Sequence, residues 1–139
     1  MAGLSAGLFG LALARTTLAA SPAPRTLLVL GDSLSAEYGL ARGKGWVALL
    51  EQRLAREKLP ARVVNASISG ETTSGGRSRL AALLSQHKPT HLVLELGGND
   101  ALRGLPLSMT EENLSTMTRD ARAAGARVLL LGMQVPPNY

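Results

Sequence analysis

Four short segments of the 139-residue chain carry residue types that hydrolytic chemistry uses. They are residues 31–35 (GDSLS), 67–72 (SISGET), 97–100 (GGND) and 132–139 (GMQVPPNY). Ser33 could act as a nucleophile, and the Gly70 backbone N–H and the Asn99 side-chain N–H could stabilise an oxyanion. Each residue also has a simpler interpretation, because Ser often caps a helix N-terminus and Gly and Asn often form turns.

Three carboxylates lie in or beside these segments. Asp32 and Asp100 could orient catalytic partners, but helix capping or hydrogen bonding within a loop is the favoured interpretation of each. Glu95 stands in an apolar run, where a carboxylate needs a hydrogen-bond partner. We therefore interpret Glu95 as a structural carboxylate.

The sequence does not match the other catalytic and nucleotide-binding motifs that its glycine and serine residues could suggest. The segment 39–44 (GLARGK) has three residues between its glycines where a P-loop needs four, and Gly45 follows where Ser or Thr should stand. No G-x-G-x-x-G follows the first apolar run, and Ser33 does not lie in G-x-S-x-G. No His-x-x-x-His or carboxylate cluster suggests a metal. The sequence therefore predicts neither a metal nor a nucleotide cofactor.

The elements that must position these segments alternate regularly along the chain. Apolar runs predict strands at 26–30, 62–66, 90–96 and 127–131. Helical spacing predicts helices over 45–58, 77–87 and 108–124. The first helix presents an apolar face of Trp46, Leu49, Leu50 and Leu54; Ser108 and Glu111 have capping-box spacing, and Gly125 suits a C-terminal cap. The alternation is typical of an α/β fold whose parallel sheet gathers all four segments at one edge.

Composition limits the other functional classes. The chain has 15 Lys and Arg, 10 Asp and Glu, and a net charge of +5, but its basic residues are scattered and only 3% of its residues are aromatic. A base-stacking platform for nucleic acid is therefore not expected. The absence of Cys excludes a disulfide framework and a thiol nucleophile.

The first 23 residues have the pattern of a secretory signal peptide. Residues 1–14 (MAGLSAGLFGLALA) are apolar but too short to span a bilayer, and small residues follow them with plausible cleavage sites near Ala20 or Ala23. No Lys or Arg precedes the apolar run, so an uncleaved anchor or a buried helix is the alternative. We expect a signal peptide at 1–23, a single domain at 24–139, no integral membrane span and a periplasmic or secreted location.

The strand-end segments together resemble a known family. Residues 31–35 resemble the first sequence block of the GDSL/SGNH serine hydrolases, Gly70 matches the second block, and residues 97–100 match the third. The surrounding sequences GWVALL, VVNASISGETTSGG, LELGGNDALRGL and VLLLGMQVPPNY are similar to the bacterial periplasmic group of arylesterases, thioesterases and lysophospholipases. The resemblance covers about residues 26 to 139.

The resemblance implies a fold and a set of site residues. It implies a flavodoxin-like, three-layer αβα domain with a five-stranded parallel sheet and no cofactor. Ser33 would be the nucleophile, and the N–H groups of Ser33 and Gly70 with the Asn99 side chain would form the oxyanion hole. The implied substrates are acyl esters, acyl thioesters and lysophospholipids. Loops 72–76, 101–105 and 136–139 would shape the acyl groove, with Thr72, Gly75, Leu102, Pro136 and Tyr139 as its candidate residues.

The sequence departs from the family pattern in one respect. The family's Asp-x-x-His block, which supplies the general base, does not occur. His91 begins the third predicted strand, roughly 20 Å from the catalytic edge, and His87 precedes it, so neither is expected to replace that base. The fifth strand and last helix are also missing from the predicted elements. We therefore expect the fourth strand to be an unpaired apolar edge and the isolated chain to be inactive and prone to aggregation.

Two interpretations stay open. The chain could be the N-terminal two-thirds of a secreted serine esterase whose base lies elsewhere, or a non-catalytic or vestigial ester-binding domain. The presence of Ser33, Gly70 and Asn99 together favours the first, because a domain without catalysis would have no chemical need for the full set.

Overall fold

The computed structural model describes residues 24–134 of the protein. Its strands are Arg25–Gly31 (β1), Ala61–Asn65 (β2), His91–Glu95 (β3) and Arg127–Leu130 (β4), and its helices are Trp46–Arg56 (α1), Thr73–His87 (α2), Gly98–Leu102 (α3) and Leu107–Ala123 (α4). The predicted signal peptide at 1–23 and the candidate groove residues Pro136 and Tyr139 lie outside the described residues. Among residues 24–134, no helix is long and apolar enough to cross a membrane.

The four strands form one parallel sheet in the order β2-β1-β3-β4. The register pairs Gly31 at the end of β1 with Glu95 at the end of β3. Because every strand runs the same way, the segments that follow them meet at one edge of the sheet. The predicted α/β fold with a parallel sheet is confirmed.

Helices cover the sheet on both faces, as the three-layer arrangement requires. On one face, α2 and α4 pack Leu80, Met117 and Ala121 against alternate strand residues, including Leu28 and Leu92. On the other face, α1 packs Val47 against Val29 and Val93, with Trp46 beside them. The alternation of leucines and valines between the two clusters follows from the period of two along each strand.

Two helix starts differ from the sequence-based expectations, and one helix end agrees with them. Helix α2 begins at Thr73 instead of residue 77, because the Thr72 side chain caps it by accepting the Gly75 N–H. The predicted Ser108 capping box is wrong: α4 begins one residue earlier, and the carbonyl of Pro106 accepts the first helical N–H groups. Gly125, with a φ of +87°, follows that helix at the predicted end.

The buried face of helix α1 differs from the face that its sequence pattern predicts. Val47 is its buried residue, whereas Leu49, which the pattern places on the apolar face, is 49% exposed. The sheet face beneath α1 is narrow in the described residues, since it offers only Val29, Val93 and a few partly buried neighbours.

Strand β4 is the edge of the described sheet and is apolar on both sides. Leu129 and Leu130 point to opposite faces of the sheet, and they are 56% and 49% exposed. Unpaired strand edges with exposed apolar side chains are sites of intermolecular association.

We predict that Leu129→Lys reduces aggregation of the 139-residue chain, because a charge on the edge opposes strand pairing between molecules. The matched control is Leu40→Lys, which places the same charge on a leucine with the same 56% exposure in a turn. Light scattering at increasing concentration is the measurement. Equal aggregation of the two variants would show that the β4 edge is not the associating surface.

Candidate active site

The turn after β1 places Ser33 at the surface of the catalytic edge. Asp32 is buried, and its side chain accepts the Leu34 N–H at 3.0 Å, while its carbonyl accepts the N–H groups of Ser35 and Ala36. Residues 33–39 form successive turns, and the next helix begins at Trp46. The alternative interpretation of Ser33 as a helix N-cap is therefore wrong.

Asn99 lies beside this turn, in the first turn of α3. Its side-chain N–H₂ group donates one hydrogen bond to Asp32 Oδ2 and another to the Glu71 carbonyl, both at 3.0 Å. The end of β1, the loop after β2 and the start of α3 are thereby joined at one point. An oxyanion bound here would have to share or replace one of these two acceptors.

Gly70 occupies the loop after β2 with a φ of +81°, a backbone conformation that favours glycine. Its carbonyl accepts a hydrogen bond from Arg103 Nη2 at 2.8 Å. Arg103 could not be identified from local sequence spacing, because its contact with Gly70 joins residues 33 positions apart.

Asp100 fixes α3, and with it Asn99, to the rest of the domain. Its buried carboxylate accepts the Thr73 N–H at 2.9 Å, the Thr73 hydroxyl, and the Thr110 hydroxyl at 3.2 Å. The Asn113 side chain donates to Thr73 Oγ1 at 3.0 Å and extends the network into α4. Asp100 therefore serves as a hydrogen-bonding residue between α3, α2 and α4, while the cap of α2 is Thr72.

Glu95 is the last residue of β3 and lies beneath the Ser33 turn. Its Oε2 accepts the Ser35 hydroxyl at 2.7 Å and faces the Asp32 N–H at 3.4 Å. Burial raises the pKa of the Glu95 carboxyl above its ordinary value. The structural interpretation of Glu95 is confirmed in that the carboxylate has a hydrogen-bond partner.

The candidate groove residues are not all in one place. Leu102 is 65% exposed and lines an apolar cavity of about 670 Å³, whose other walls include Leu96, Leu105, Leu114, Leu130 and Met133. Thr72 and Gly75 are not among its lining residues; they form the start of α2, so the expected loop over 72–76 is wrong. A Cβ atom at Gly75 would overlap the Glu71 carboxylate, so a side chain there would require that carboxylate to move.

Both histidines of the chain lie away from this site. His91 begins β3 and has its Nδ1 2.9 Å from Thr90 Oγ1, while His87 ends α2 near Arg62. These positions are at the amino ends of the strands, opposite Ser33. The expectation that neither histidine reaches Ser33 is confirmed. In the part of the chain that the structure describes, no group of three or more His, Asp or Glu could hold a metal ion.

Comparison with known proteins decides the family. The model of a family described as "GDSL-like Lipase/Acylhydrolase family" matches residues 29–139, which is most of the chain. The chain belongs to the GDSL-like lipase/acylhydrolase family. The resemblance seen in the three sequence blocks is thereby confirmed.

Two relatives within this family show how much of such a protein the chain represents. The chain is 57% identical over 127 residues to "Esterase TesA" of Pseudomonas aeruginosa, covering 91% of the chain and 63% of that protein. It is 47% identical over 114 residues to "Thioesterase 1/protease 1/lysophospholipase L1" of Escherichia coli (strain K12), covering 82% of the chain and 53% of that protein. The chain thus spans between half and two thirds of the length of these relatives.

Solved structures agree with the fold. A crystal structure of TesA superposes with a TM-score of 0.81 at 59% identity, covering 83% of the chain and 64% of that structure. The psychrotrophic esterase EstA from Pseudoalteromonas sp., inhibited by monoethylphosphonate, superposes with a TM-score of 0.79 at 47% identity, covering 83% and 63%. The GDSL-like chain therefore shares the αβα arrangement of structurally characterised esterases.

We predict that Asp100→Ala lowers the free energy of unfolding by about 3 kcal/mol. The substitution leaves the Thr73 N–H and the hydroxyls of Thr73 and Thr110 without their acceptor. Urea unfolding followed by circular dichroism measures the change. The control is Asp120→Ala, which removes an exposed carboxylate from the surface of α4. A loss below about 1 kcal/mol for Asp100→Ala would contradict its role as the tie between α2, α3 and α4.

Proposed function

We propose that the chain is the nucleophile-bearing part of a serine esterase or thioesterase. The observation that carries this proposal is the Asp32 carboxylate, which holds the turn of Ser33 with one oxygen and the amide of Asn99 with the other. A nucleophile and an oxyanion donor need a fixed separation, and a single rigid group between them supplies it.

The proposed reaction begins with attack of Ser33 Oγ on the ester or thioester carbonyl carbon. The C–O⁻ that forms would be stabilised by the backbone N–H groups of Ser33 and Gly70 and by the Asn99 amide. Expulsion of the alcohol or thiol leaves an acyl group on Ser33, and water then releases the acid.

The proton of the Ser33 hydroxyl needs an acceptor that the described site does not supply. Both histidines lie at the opposite edge, so a general base must come from polypeptide equivalent to the part of the relatives that the chain does not span. Without that base, a serine hydrolase site retains only a small fraction of its rate enhancement. The 139-residue chain alone is therefore expected to be inactive or nearly so, which is also what an ester-binding domain without catalysis would show.

The substrates proposed are acyl esters, acyl thioesters and lysophospholipids. The apolar cavity that Leu102 lines suits an acyl chain, and its lining includes Gly97 and Gly98, which directly precede Asn99 in the chain. Thr72, Gly75, Pro136 and Tyr139 remain proposed groove residues from the family resemblance. No cofactor and no nucleic-acid partner are proposed.

The segment 1–23 supports a periplasmic or secreted location. Expression of the chain followed by mass measurement of the mature protein tests this: a loss of 20 or 23 residues supports a cleaved signal peptide, and an intact N-terminus contradicts it.

We predict that joining the chain to the C-terminal part of Pseudomonas aeruginosa TesA that it does not match yields an esterase active on p-nitrophenyl butyrate. Ser33→Ala in this extended chain should abolish hydrolysis and labelling by a fluorophosphonate, because both need the Ser33 hydroxyl. The control Ser115→Ala removes an exposed hydroxyl from α4 and should leave the activity unchanged.

Retention of most activity in Ser33→Ala would exclude Ser33 as the nucleophile. A folded but inactive extended chain that binds the ester would instead favour the ester-binding domain. Rapid fluorophosphonate labelling of the unextended chain would show that it already contains a base.

We predict that Asn99→Ala in the extended chain lowers kcat by about 10²–10³-fold, as removal of an oxyanion donor does. The exposed amide of Gln86 provides the matched control, and Gln86→Ala should leave kcat unchanged. Steady-state kinetics with p-nitrophenyl butyrate distinguishes the two. An unchanged kcat in Asn99→Ala would leave this residue with only its structural hydrogen bonds to Asp32 and the Glu71 carbonyl.

A further inference from the structure

A buried carboxyl group lies directly under the proposed nucleophile turn. Glu95 is 5% exposed, and its Oε2 accepts the Ser35 hydroxyl and faces the Asp32 N–H. Its other oxygen, Oε1, has no hydrogen-bond partner among the described residues. A buried carboxyl group is tolerated when it is hydrogen-bonded, so these two contacts fix Glu95 and the turn residues that make them in one arrangement.

Ser35 links this carboxyl to three other elements. Its hydroxyl donates to Glu95 and accepts the Trp46 indole N–H at 3.1 Å, and its carbonyl accepts the Asn65 side-chain N–H at 2.7 Å. The turn after β1 is thereby tied to β3, to α1 and to the end of β2. Ser35 is two residues from Ser33, so its position sets the path of the turn.

The packing around Ser35 and Glu95 leaves no space for a side chain at residue 31. A Cβ atom at Gly31 would lie 2.6 Å from Ser35 Oγ and 2.8 Å from Glu95 Oε2. The glycine at the end of β1 is therefore required for the carboxyl and hydroxyl to approach the backbone.

We propose that Glu95 is a positioning residue that holds the Ser33 turn through the Ser35 hydroxyl and the Asp32 N–H. This inference deepens the proposed function, since it concerns the alignment of the same nucleophile. Glu95 has no direct contact with the reacting atoms in this arrangement and acts through Ser35 and Asp32.

The ionisation of Glu95 offers a way to observe the link. Burial raises the pKa of Glu95 above its ordinary value, the hydrogen bond from the Ser35 hydroxyl opposes this, and the nearby Asp32 carboxylate raises the pKa further. Asp32 is the ionisable group on the turn facing Glu95, whereas α1 and β2 contribute the neutral side chains Trp46 and Asn65. Because the folded state holds this proton more tightly than the unfolded chain, its contribution to stability is full at acid pH and is lost as the pH rises through the folded-state pKa.

Trp46 is the single tryptophan of the chain and reports on this ionisation through Ser35. In the 139-residue chain, we expect Trp46 emission to titrate with a midpoint above the ordinary pKa of a glutamate. The transition should persist in the control Glu111→Gln, which neutralises an exposed carboxylate on α4, and disappear in Glu95→Gln.

Hydrogen exchange of the peptide spanning residues 32–38 tests the positioning itself and does not depend on activity. We expect exchange to be faster by about tenfold in Glu95→Gln and in Ser35→Ala, with exchange in α4 unchanged. In the extended chain, both variants should lower kcat by about 10–100-fold with KM within about twofold, because a misplaced nucleophile affects the transition state more than binding.

An emission transition that survives in Glu95→Gln, or unaltered exchange of residues 32–38 in both variants, would overturn the inference. An extended chain that is inactive with Ser33 intact would contradict the proposed function alone. The emission and exchange results would still decide whether Glu95 holds the turn.

Discussion

The site depends on the two hydrogen bonds that the buried Asp32 carboxylate accepts. This carboxylate lies where β1 ends, and one oxygen fixes the turn that carries Ser33 while the other fixes the amide of Asn99. This is possible because β1 and β3 are neighbours in the sheet, so the residues that follow them start side by side. The strand pairing of the core therefore sets the spacing of the candidate catalytic groups.

Polar groups under the edge make this arrangement rigid. Asp100 connects α2, α3 and α4, and Arg79 pairs with Glu71, whose carbonyl is the second acceptor of the Asn99 amide. Buried hydrogen-bond networks of this kind specify one geometry, because each partner lost leaves another group unsatisfied. The half-buried residues Ser33, Gly70 and Asn99 are thus supported by hydrogen-bonded side chains from α2, α3, α4 and the loop after β2.

Much of this arrangement follows from the sequence. The apolar runs and their spacing predict four parallel strands, and the parallel direction alone brings Ser33, Gly70 and Asn99 to one edge. The start of α2 could not be predicted from periodicity, since its first buried leucine is Leu80 and the turn before it is defined by a cap and two glycines. Helix α3 has five residues, too few for a helical period to emerge.

Other features depend on contacts between distant residues. Ser108 and Glu111 have the spacing of a capping box, yet the chain enters α4 through Pro106, whose fixed φ already suits a helix start. The contacts of Arg103 with Gly70 and of Glu95 with Ser35 join segments 33 and 60 residues apart. Local patterns contain no information on such pairs, and only the assembled sheet brings them together.

The edge strand β4 has a consequence for ligand binding. Leu130 belongs to this exposed strand and also lines the apolar cavity beside Asn99, so one residue serves the sheet edge and the cavity wall. Polypeptide that covers β4 and a ligand that fills the cavity would therefore each stabilise the same surface. By thermodynamic linkage, any ligand that fills the cavity should strengthen the association of the chain with a covering segment, and that segment should strengthen binding of the ligand by the same factor.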